Sequence, residues 1–541
     1  MGGRPFLPPT SEIDTSDRPR RRPRALLAGL LSALVPGAGH LYAGSRWRGA
    51  ALLGLTAAVA AVAAVGLVRG PDWIVAQLVR PGVLLVLLAL NGVLLLVRAH
   101  AVVDAYRVAR RRSPRPLRRE RTGERVVYRR ERARGSRLGG LRLAAIGLIV
   151  AFTAAPHVIA GYYAYSADDV ITSVFAADGD DSSPALPDDV VLAAPTPASP
   201  VSAVSRSAIE TVAACQRGEC RATAQASPAA VETGPARRRS QARSWEERGR
   251  VNILLLGGDA GYGRSGLRTD TMMVASIDVQ TGSAAIFGIP RNLVQVPLPS
   301  RLARVYGHRF QEILNALYAY GVEHPQQFPG GKDPGATALK EAMAQLLGIP
   351  IDYYALVDLR GFVGIVDALG GVDLVATDRV QDRVSPPGPG EPWIRIDVQA
   401  GKSYHLDGRT ALAYARSRWA SSDFNRMRRQ RCIVSAVAEE ASLTKLLRAF
   451  PRIAEELKRN VTTDVPRGEV AGLLRAVARL DTSRSAAVSL GPPDYASALD
   501  QDGYPIPDVV KIRRVVRQLT ELPPAKARAR LGLESVHAGC R

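Results

Sequence analysis

Val251-Asn252-Ile253-Leu254-Leu255-Leu256-Gly257-Gly258-Asp259 opens the region whose reading decides the fold. An apolar run of this length, stopped by a glycine pair, reads as a buried strand ending in a loop, with Asp259 immediately after it. A Gly-rich loop from Gly261 to Gly266 leads to Arg268-Thr269-Asp270, and Thr271 to Val279 resumes as a β-rich stretch. The turn Gln280-Thr281-Gly282 and the apolar run Ser283 to Ile289 complete a hairpin that Pro290-Arg291 ends. Three strand ends are thereby expected to deliver Asp259, Asp270 and Arg291 to loops, where a rigid sheet usually holds binding residues.

Farther along, the apolar period changes. Ala336 to Leu347 carries Leu339, Met343, Leu346 and Leu347 at helical spacing with Gly348 as a stop. Leu359 to Leu369 repeats the device with Phe362, Ile365, Val366 and Leu369 before Gly370-Gly371. Both stripes read as core. Short apolar stretches at Tyr354 to Val357 and Val372 to Val375 flank the second helix, so helices and strands alternate as in an α/β/α sandwich. The segment Pro466 to Glu521 keeps helical patterning and belongs to the same domain, bounded at 250–525, with 526–541 as a C-terminal tail.

A second stretch concentrates charge: Arg416-Ser417-Arg418, then Asp423-Phe424-Asn425-Arg426-Met427-Arg428-Arg429-Gln430. A helix beginning just after Asp423 would have its first amides capped by that carboxylate, with Arg426 and Gln430 on one face at i, i+4. Phe424, Met427, Val434 and Val437 would turn to the core. Arginines near a helix N-terminus suit phosphate, because guanidinium forks bind it bidentately and the macrodipole favours negative charge. Charge runs are more often solvated faces, so the reading depends on what converges there.

The 541 residues carry a net charge of +22 and a pI near 10.3 with only 6% aromatics. Position decides what this basicity means, and much of it lies in the first 140 residues beside apolar segments, which points to membrane topology rather than nucleic acid. Three runs, 49–68, 81–103 and 141–163, are close to the roughly 20 residues a spanning helix needs. Between the second and third, Arg107 to Arg137 holds 14 arginines and 3 glutamates. The positive-inside rule makes that loop cytoplasmic, so the basic tail 1–24 is inside and the third span leads outward. Residues 25–165 thus form a multi-pass α-helical transmembrane region, and the soluble domain is extracytoplasmic at the cell membrane. Ala25 to Gly44, with Pro36-Gly37-Ala38-Gly39-His40, reads as an interfacial or re-entrant segment in which His40 is a turn residue rather than a metal or proton site.

Residues 166–249 shift to Ala, Pro, Ser, Thr and Asp and read as a disordered linker. Its 238–243 basic cluster reads as a solvated face. The four cysteines and seven histidines show no zinc-ligand spacing. Cys215 with Cys220, or Cys432 with Cys540, would pair in an oxidising compartment.

Two carboxylates on converging loops with several arginines suit a diphosphate. Mg²⁺ prefers one or two carboxylates plus phosphate oxygens and water, and arginines neutralise the remaining charge. Phosphoryl transfer needs mainly positioning and electrostatic stabilisation, so no covalent nucleophile is required. Read singly, Asp259 and Asp270 are equally well turn caps. No Ser-His-Asp or Cys-His arrangement stands out by spacing, and the glycines match neither a Walker A motif nor a dinucleotide fingerprint.

Several ordered motifs resemble the LytR-CpsA-Psr family of cell-envelope glycopolymer transferases: Asn252 to Asp259, Arg268-Thr269-Asp270-Thr271-Met272, Ile289-Pro290-Arg291, Asp367 to Val372, Leu406 to Arg418, Asp423 to Arg426, and Arg429-Gln430. The resemblance covers residues 250 to 440. It implies an extracytoplasmic domain that binds a polyprenyl-pyrophosphate-linked glycan, its lipid in an apolar groove, and transfers the glycan with its phosphate to a peptidoglycan hydroxyl. It further implies Mg²⁺ on Asp259 and Asp270, pyrophosphate held by Arg268, Arg291, Arg416, Arg418, Arg426 and Gln430, and catalytic roles for Asp270, Arg291 and Arg418. Asp270 is the candidate for taking the acceptor proton.

Two positions depart from the family pattern. Asn292 stands where Asp often follows the Pro-Arg, which would remove an ion pair to Arg291. Ile313 stands where Lys usually precedes the Asn by two residues, which would remove a phosphate contact unless Arg309 substitutes. The competing readings are a polyprenyl-pyrophosphate pyrophosphatase, with water as nucleophile, and a non-catalytic lipid-binding regulator of the envelope.

Overall fold

The computed structural model describes residues 24–78, 80, 82–112, 117–122, 125–130, 136–175, 185–186, 245–259, 267–328, 332–388, 390–418, 423–441, 443–536 and 540. They form two compact units, Met1–Asp169 and Val170–Arg541.

In the first unit, helices α1 (Ala25–Leu34) and α2 (Ala38–Tyr42) precede three long apolar helices, α3 (Arg46–Arg69), α4 (Val83–Arg112) and α5 (Ser136–Val174). The last three are long and apolar enough to cross a membrane. At 10 residues α1 is too short to do so. It packs with α2 on α4 through Ala28, Ala43, Ala105 and Ala109. His40 lies in α2 rather than in a turn and is buried, with Nε2 3.1 Å from Asp104 Oδ2 and Nδ1 3.5 Å from Ser32 Oγ. The basic loop contains a two-stranded antiparallel ribbon, Leu117–Thr122 with Arg125–Arg130.

The linker boundary also moves. α5 continues through Val174, and its residues from Val170 onward belong to the second unit, where Val170 and Val174 pack with Ala454. Ala185 bridges to Ile351, and Trp245–Arg248 is a short helix. The rest of the linker, with Cys215, Cys220 and the 238–243 cluster, lies outside the described residues, as do residues 1–23.

The second unit is built on a six-stranded mixed sheet of β1 (Arg250–Asp259), β2 (Arg268–Asp278), β3 (Ala284–Gly288), β4 (Tyr353–Asp358), β5 (Val461–Thr463) and β6 (Ala486–Ser489), ordered β5-β4-β1-β2-β3-β6. β1 pairs antiparallel with β2 and parallel with β4. The apolar run in β1 is continuous because both faces are covered. Leu254 and Leu256 join Leu339 and Met343 of α6 (Pro334–Leu347) on one side; Leu255, Met273 and Ile286 meet Val434 on the other. Each such side chain fully buried contributes about 1.5–3 kcal/mol. The α/β/α sandwich is the observed fold.

Aspartates start α6 and two of the helices that frame the site. Asp333 accepts from Ala336 N at the head of α6, Asp358 from Gly361 N at the head of α7 (Leu359–Leu369), and Asp407 from Thr410 N at the head of α8 (Gly408–Arg416). α9 (Asp423–Glu440) follows α8. The side chains of Asp423 and Phe424 are outside the described residues, so the expected cap and core contact are too.

Two ribbons cover α8 and α9: Val372–Val375 with Ser403–Leu406, and Val380–Val384 with Ile394–Val398. The 466–521 segment is less helical than its pattern suggests. It supplies the edge strand β6 and a hairpin, Ala496–Leu499 with Pro505–Pro507, before α10 (Val509–Glu521). Nor are residues 526–541 a tail. The helix Pro524–Leu531 continues the fold, Val536 is buried, Ser535 bridges to Ala486, and Cys540 is disulfide-bonded to Cys432 on α9.

Candidate active site

A cavity of about 780 Å³ opens between the C-terminal end of β1, α7, α8 and α9. All eight residues singled out by sequence line it: Asp259, Arg268, Asp270, Arg291, Arg416, Arg418, Arg426 and Gln430. Asp259 is the last residue of β1, which runs on through the glycine pair rather than stopping before it. Asp270, however, lies within β2 rather than in a loop after it. The β1–β2 register shifts there, with Gly257 opposite Thr271 and Gly258 opposite Thr269. Asp270 is the extra residue, and a bulge of this kind re-aims a side chain beside a site. Gly257 is needed at this point, because a Cβ would sit 2.9 Å from that of Thr271.

The charged end is organised by pairs. Arg416 Nη2 donates to Asp259 Oδ2 at 2.8 Å, and Arg416 Nη1 to the Ser385 carbonyl at 3.0 Å. Arg291 Nη1 meets Asp270 Oδ1 at 2.5 Å, and Asn315 Nδ2 donates to the same oxygen at 3.3 Å. Ser417 Oγ donates to Asp382 Oδ2 at 2.7 Å. Arg268 and Arg418 are exposed at the cavity and have no partner among the described residues. Their immediate neighbours 260–266 and 419–422, including the Gly-rich loop, are outside that set. The lining holds five arginines, Arg268, Arg291, Arg416, Arg418 and Arg426, against the four aspartates Asp259, Asp270, Asp358 and Asp382, so two pairs can tie Asp259 and Asp270 and still leave cations for an anion.

Both family departures resolve in this geometry. Asn292 does not strip Arg291 of an ion pair, because Asp270 supplies one from a different strand. Ile313 lines the cavity, but Arg309 does not replace the absent Lys: it is exposed and reaches the Gln295 carbonyl.

α8 and α9 are held in register by Arg429, which is fully buried. Its Nε donates to the Tyr414 carbonyl at 3.0 Å, Nη2 to the Ser417 carbonyl at 2.5 Å, and Nη1 lies 3.4 Å from Asp378. Burial pulls its pKa below the ordinary arginine value, with Asp378 opposing. The next basic residue on the helix, Arg431, is pushed down to about 10 by burial and by Arg428, and it donates to Ser489 Oγ. The basic run therefore divides: Arg426 and Gln430 line the cavity, while Arg429 is structural.

The other end of the cavity is apolar. Phe362, Ile365 and Val366 from α7 face Ile433, Val434 and Val437 from α9, over Leu255 and Val357 of the sheet. The α7 stripe expected to be only core thus forms a cavity wall, with Phe362 and Ile365 partly exposed. Sequence reasoning missed Asp382, Ser385, Asn315 and Tyr504, which also line the cavity. Asp382 and Ser385 sit in an ordinary alternating strand and its exit, and no local signal marks them.

The donor set fits Mg²⁺ in one form only. Asp259 and Asp270 offer two carboxylates on neighbouring strands, and no group of three or more His, Cys, Asp or Glu could hold a metal among the described residues. Mg²⁺ completed by phosphate oxygens and water matches this; an all-protein cage does not.

A cavity cationic at one end and apolar at the other, at the ends of the central strands of a mixed sheet, defines an α/β domain with an amphiphilic site. The chain belongs to the LytR_cpsA_psr family, whose model matches residues 218–491. Among curated relatives it is 28% identical over 222 residues to the polyisoprenyl-teichoic acid–peptidoglycan teichoic acid transferase TagU of Bacillus mycoides, covering 41% of this chain and 62% of the relative. It is 27% identical over 274 residues to TagV of Bacillus subtilis, 50% of this chain and 64% of the relative. It is 31% identical over 210 residues to the probable cell wall biosynthesis protein LcpB of Corynebacterium glutamicum, 38% and 42%. The chain thus spans under two thirds of these relatives. Among solved structures, B. subtilis TagV matches with 26% identity and a TM-score of 0.37, covering 50% of this chain and 97% of that one. Protein gbs0355 from Streptococcus agalactiae matches with 20% identity and a TM-score of 0.40, covering 52% and 91%.

Proposed function

We propose that this chain is a membrane-anchored phosphotransferase that moves a glycopolymer with its phosphate from a polyprenyl-pyrophosphate carrier to a hydroxyl of peptidoglycan. The observation that carries the reading is the single cavity with arginines at one end and apolar side chains at the other. A lipid diphosphate is an amphiphile that matches both ends. The names of the TagU and TagV relatives, which speak of transfer from polyisoprenyl-teichoic acid to peptidoglycan, support the same direction. The three apolar helices support a multi-pass anchor, and the Arg-rich 107–137 segment supports a cytoplasmic loop, with the C-terminal domain outside.

In this reading the five arginines neutralise the diphosphate and Gln430 hydrogen-bonds it. The acceptor oxygen attacks the glycan-side phosphorus. A new P–O bond forms, the bond from that phosphorus to the bridging oxygen breaks, and polyprenyl phosphate leaves with the electron pair. Asp270 takes the acceptor proton: Arg291 and Asn315 both occupy its Oδ1, which leaves Oδ2. Arg291 and Arg418 stabilise charge that grows in the transition state. Mg²⁺ on Asp259 and Asp270 would supply further charge neutralisation.

The test is incubation of the full chain in nanodiscs with a polyprenyl-pyrophosphate glycan, Mg²⁺ and peptidoglycan fragments. A phosphodiester-linked product is expected. Glycan phosphate released into solution instead, with polyprenyl monophosphate as the other product, would make the chain a pyrophosphatase, and tight binding with no turnover would make it a lipid-binding regulator.

A further inference from the structure

The ribbon Val380–Val384 with Ile394–Val398 has two unlike faces. Along Ile394, Ile396 and Val398 every second side chain is buried, and Asp382 and Val384 on the paired strand line the cavity. The alternate positions, Arg383, Trp393 and Arg395, are exposed. Arg383 and Arg395 are direct cross-strand partners. Like charges placed opposite each other destabilise a ribbon, so this face is at a cost unless something anionic lies across it. Neither guanidinium has an ion pair among the described residues, and Asp397, the acid on this face, pairs with neither.

Trp393 is 53% exposed, and the Arg383 guanidinium lies 5.6 Å from its ring centre. The two residues before it are held by Arg409. Arg409 Nη1 meets Glu391 Oε2 at 2.5 Å and Arg409 Nη2 donates to the Pro392 carbonyl at 2.7 Å. An exposed indole on a backbone held in this way offers a stacking face, and the flanking guanidiniums offer bidentate donors. A sugar ring that carries a phosphate or carboxylate matches the pair: its C–H face stacks on the indole and its anion bridges the two arginines.

We propose that the outer face of this ribbon, Trp393 with Arg383 and Arg395, is a binding site for an anionic saccharide segment, separate from the cavity. The same strand walls the cavity with Asp382 and Val384, so the two sites share one scaffold. The two sources of such a segment are a phosphate-bearing glycan chain and a peptidoglycan strand. The proposal concerns binding and does not require the cavity to be catalytic.

The test is isothermal titration of the full chain in detergent micelles with three probes: an N-acetylglucosaminylated ribitol-phosphate oligomer, a disaccharide-tetrapeptide from peptidoglycan, and neutral chitotetraose. At least one anionic probe is expected to bind, with Trp393→Ala and the double variant Arg383→Gln/Arg395→Gln each weakening it about tenfold. Trp393→Phe is expected to retain most of the affinity, and chitotetraose to bind at least about tenfold more weakly than that probe. The anionic probe that loses affinity in the variants names the source. The proposal is overturned if neither anionic probe binds, if chitotetraose binds as tightly, or if variants with wild-type circular dichroism and melting bind like the parent.

Discussion

Arg416 and Asp259, 157 residues apart in sequence, form an ion pair at 2.8 Å where α8 meets the end of β1. The pair is largely buried, with side-chain exposures of 20% and 7%, so its partners depend on each other. Arg416→Ala takes this cation from a buried carboxylate and removes a guanidinium from the proposed diphosphate site. It is expected to lower the transfer rate about 10²-fold or more. Arg416→Lys is expected to recover part of the loss, since it keeps the charge but not the fork that also reaches Ser385. Initial rates beside thermal melting separate the two effects.

Asp270 has more than one proposed role, in metal binding and proton transfer, so its removal is expected to be the most damaging single change at the cavity. Asp270→Ala is expected to reduce transfer by about 10²–10⁴-fold. Asn315→Ala, which removes only a donor to Oδ1, is expected to cost about 10-fold. Rates measured against Mg²⁺ concentration check both, and full activity in Asp270→Ala would remove it from the metal and proton-transfer roles.

Arg429 is expected to be a stability residue. Arg429→Met leaves the Tyr414 and Ser417 carbonyls and Asp378 without this donor in a dry interior, a loss of about 3–5 kcal/mol. Chemical denaturation of the variant reads it. A stable variant that has lost only activity would place Arg429 in the cavity chemistry instead.

The Cys432–Cys540 bond closes a 108-residue separation and ties the C-terminus to α9. Cys540→Ser is expected to lower stability by about 2–4 kcal/mol through the freer unfolded chain. Comparing melting of the oxidised, reduced and substituted chains tests this, and the three are expected to fall into two groups.

His405 pairs with Asp373 at 2.7 Å on an exposed ribbon, and the hydrogen bond from that carboxylate raises the imidazole pKa above its ordinary value. A raised folded value means the pair stabilises fully below the unfolded histidine value, about 6.5. The contribution fades as pH rises through the higher folded value. Being exposed, the pair contributes little. NMR titration of the His405 ring is expected to show the raised midpoint, and Asp373→Asn to return it toward normal.

Much of this was legible in the sequence because the signals are local. The Val251–Leu256 run, the two helical stripes and their stops at Gly348 and Gly370 are each decided by neighbours within a few residues and placed their elements correctly, whereas β1 runs through the Gly257-Gly258 pair expected to end it. Asp259 and the arginines were found through ordered motifs. What escaped was set by tertiary context. Asp270 entered the cavity through a bulge that no residue announces. Asp382 and Ser385 belong to a strand whose alternation is ordinary. The Phe362 stripe borders a cavity rather than plain core because α9 stands off from it, and spacing along one helix cannot report the distance to another. Residues 526–541 joined the domain through a disulfide and an isolated bridge to β6, both long-range.

The central claim is that the cavity passes a phosphate from a lipid carrier to a glycan acceptor, and the fate of one atom tests it. A donor labelled with ³²P at the glycan-side phosphate is incubated with the full chain, Mg²⁺ and peptidoglycan fragments. The account predicts that the label enters peptidoglycan in a phosphodiester while unlabelled polyprenyl monophosphate accumulates in equal amount. Label released with the free glycan, or retained on the lipid, would contradict it.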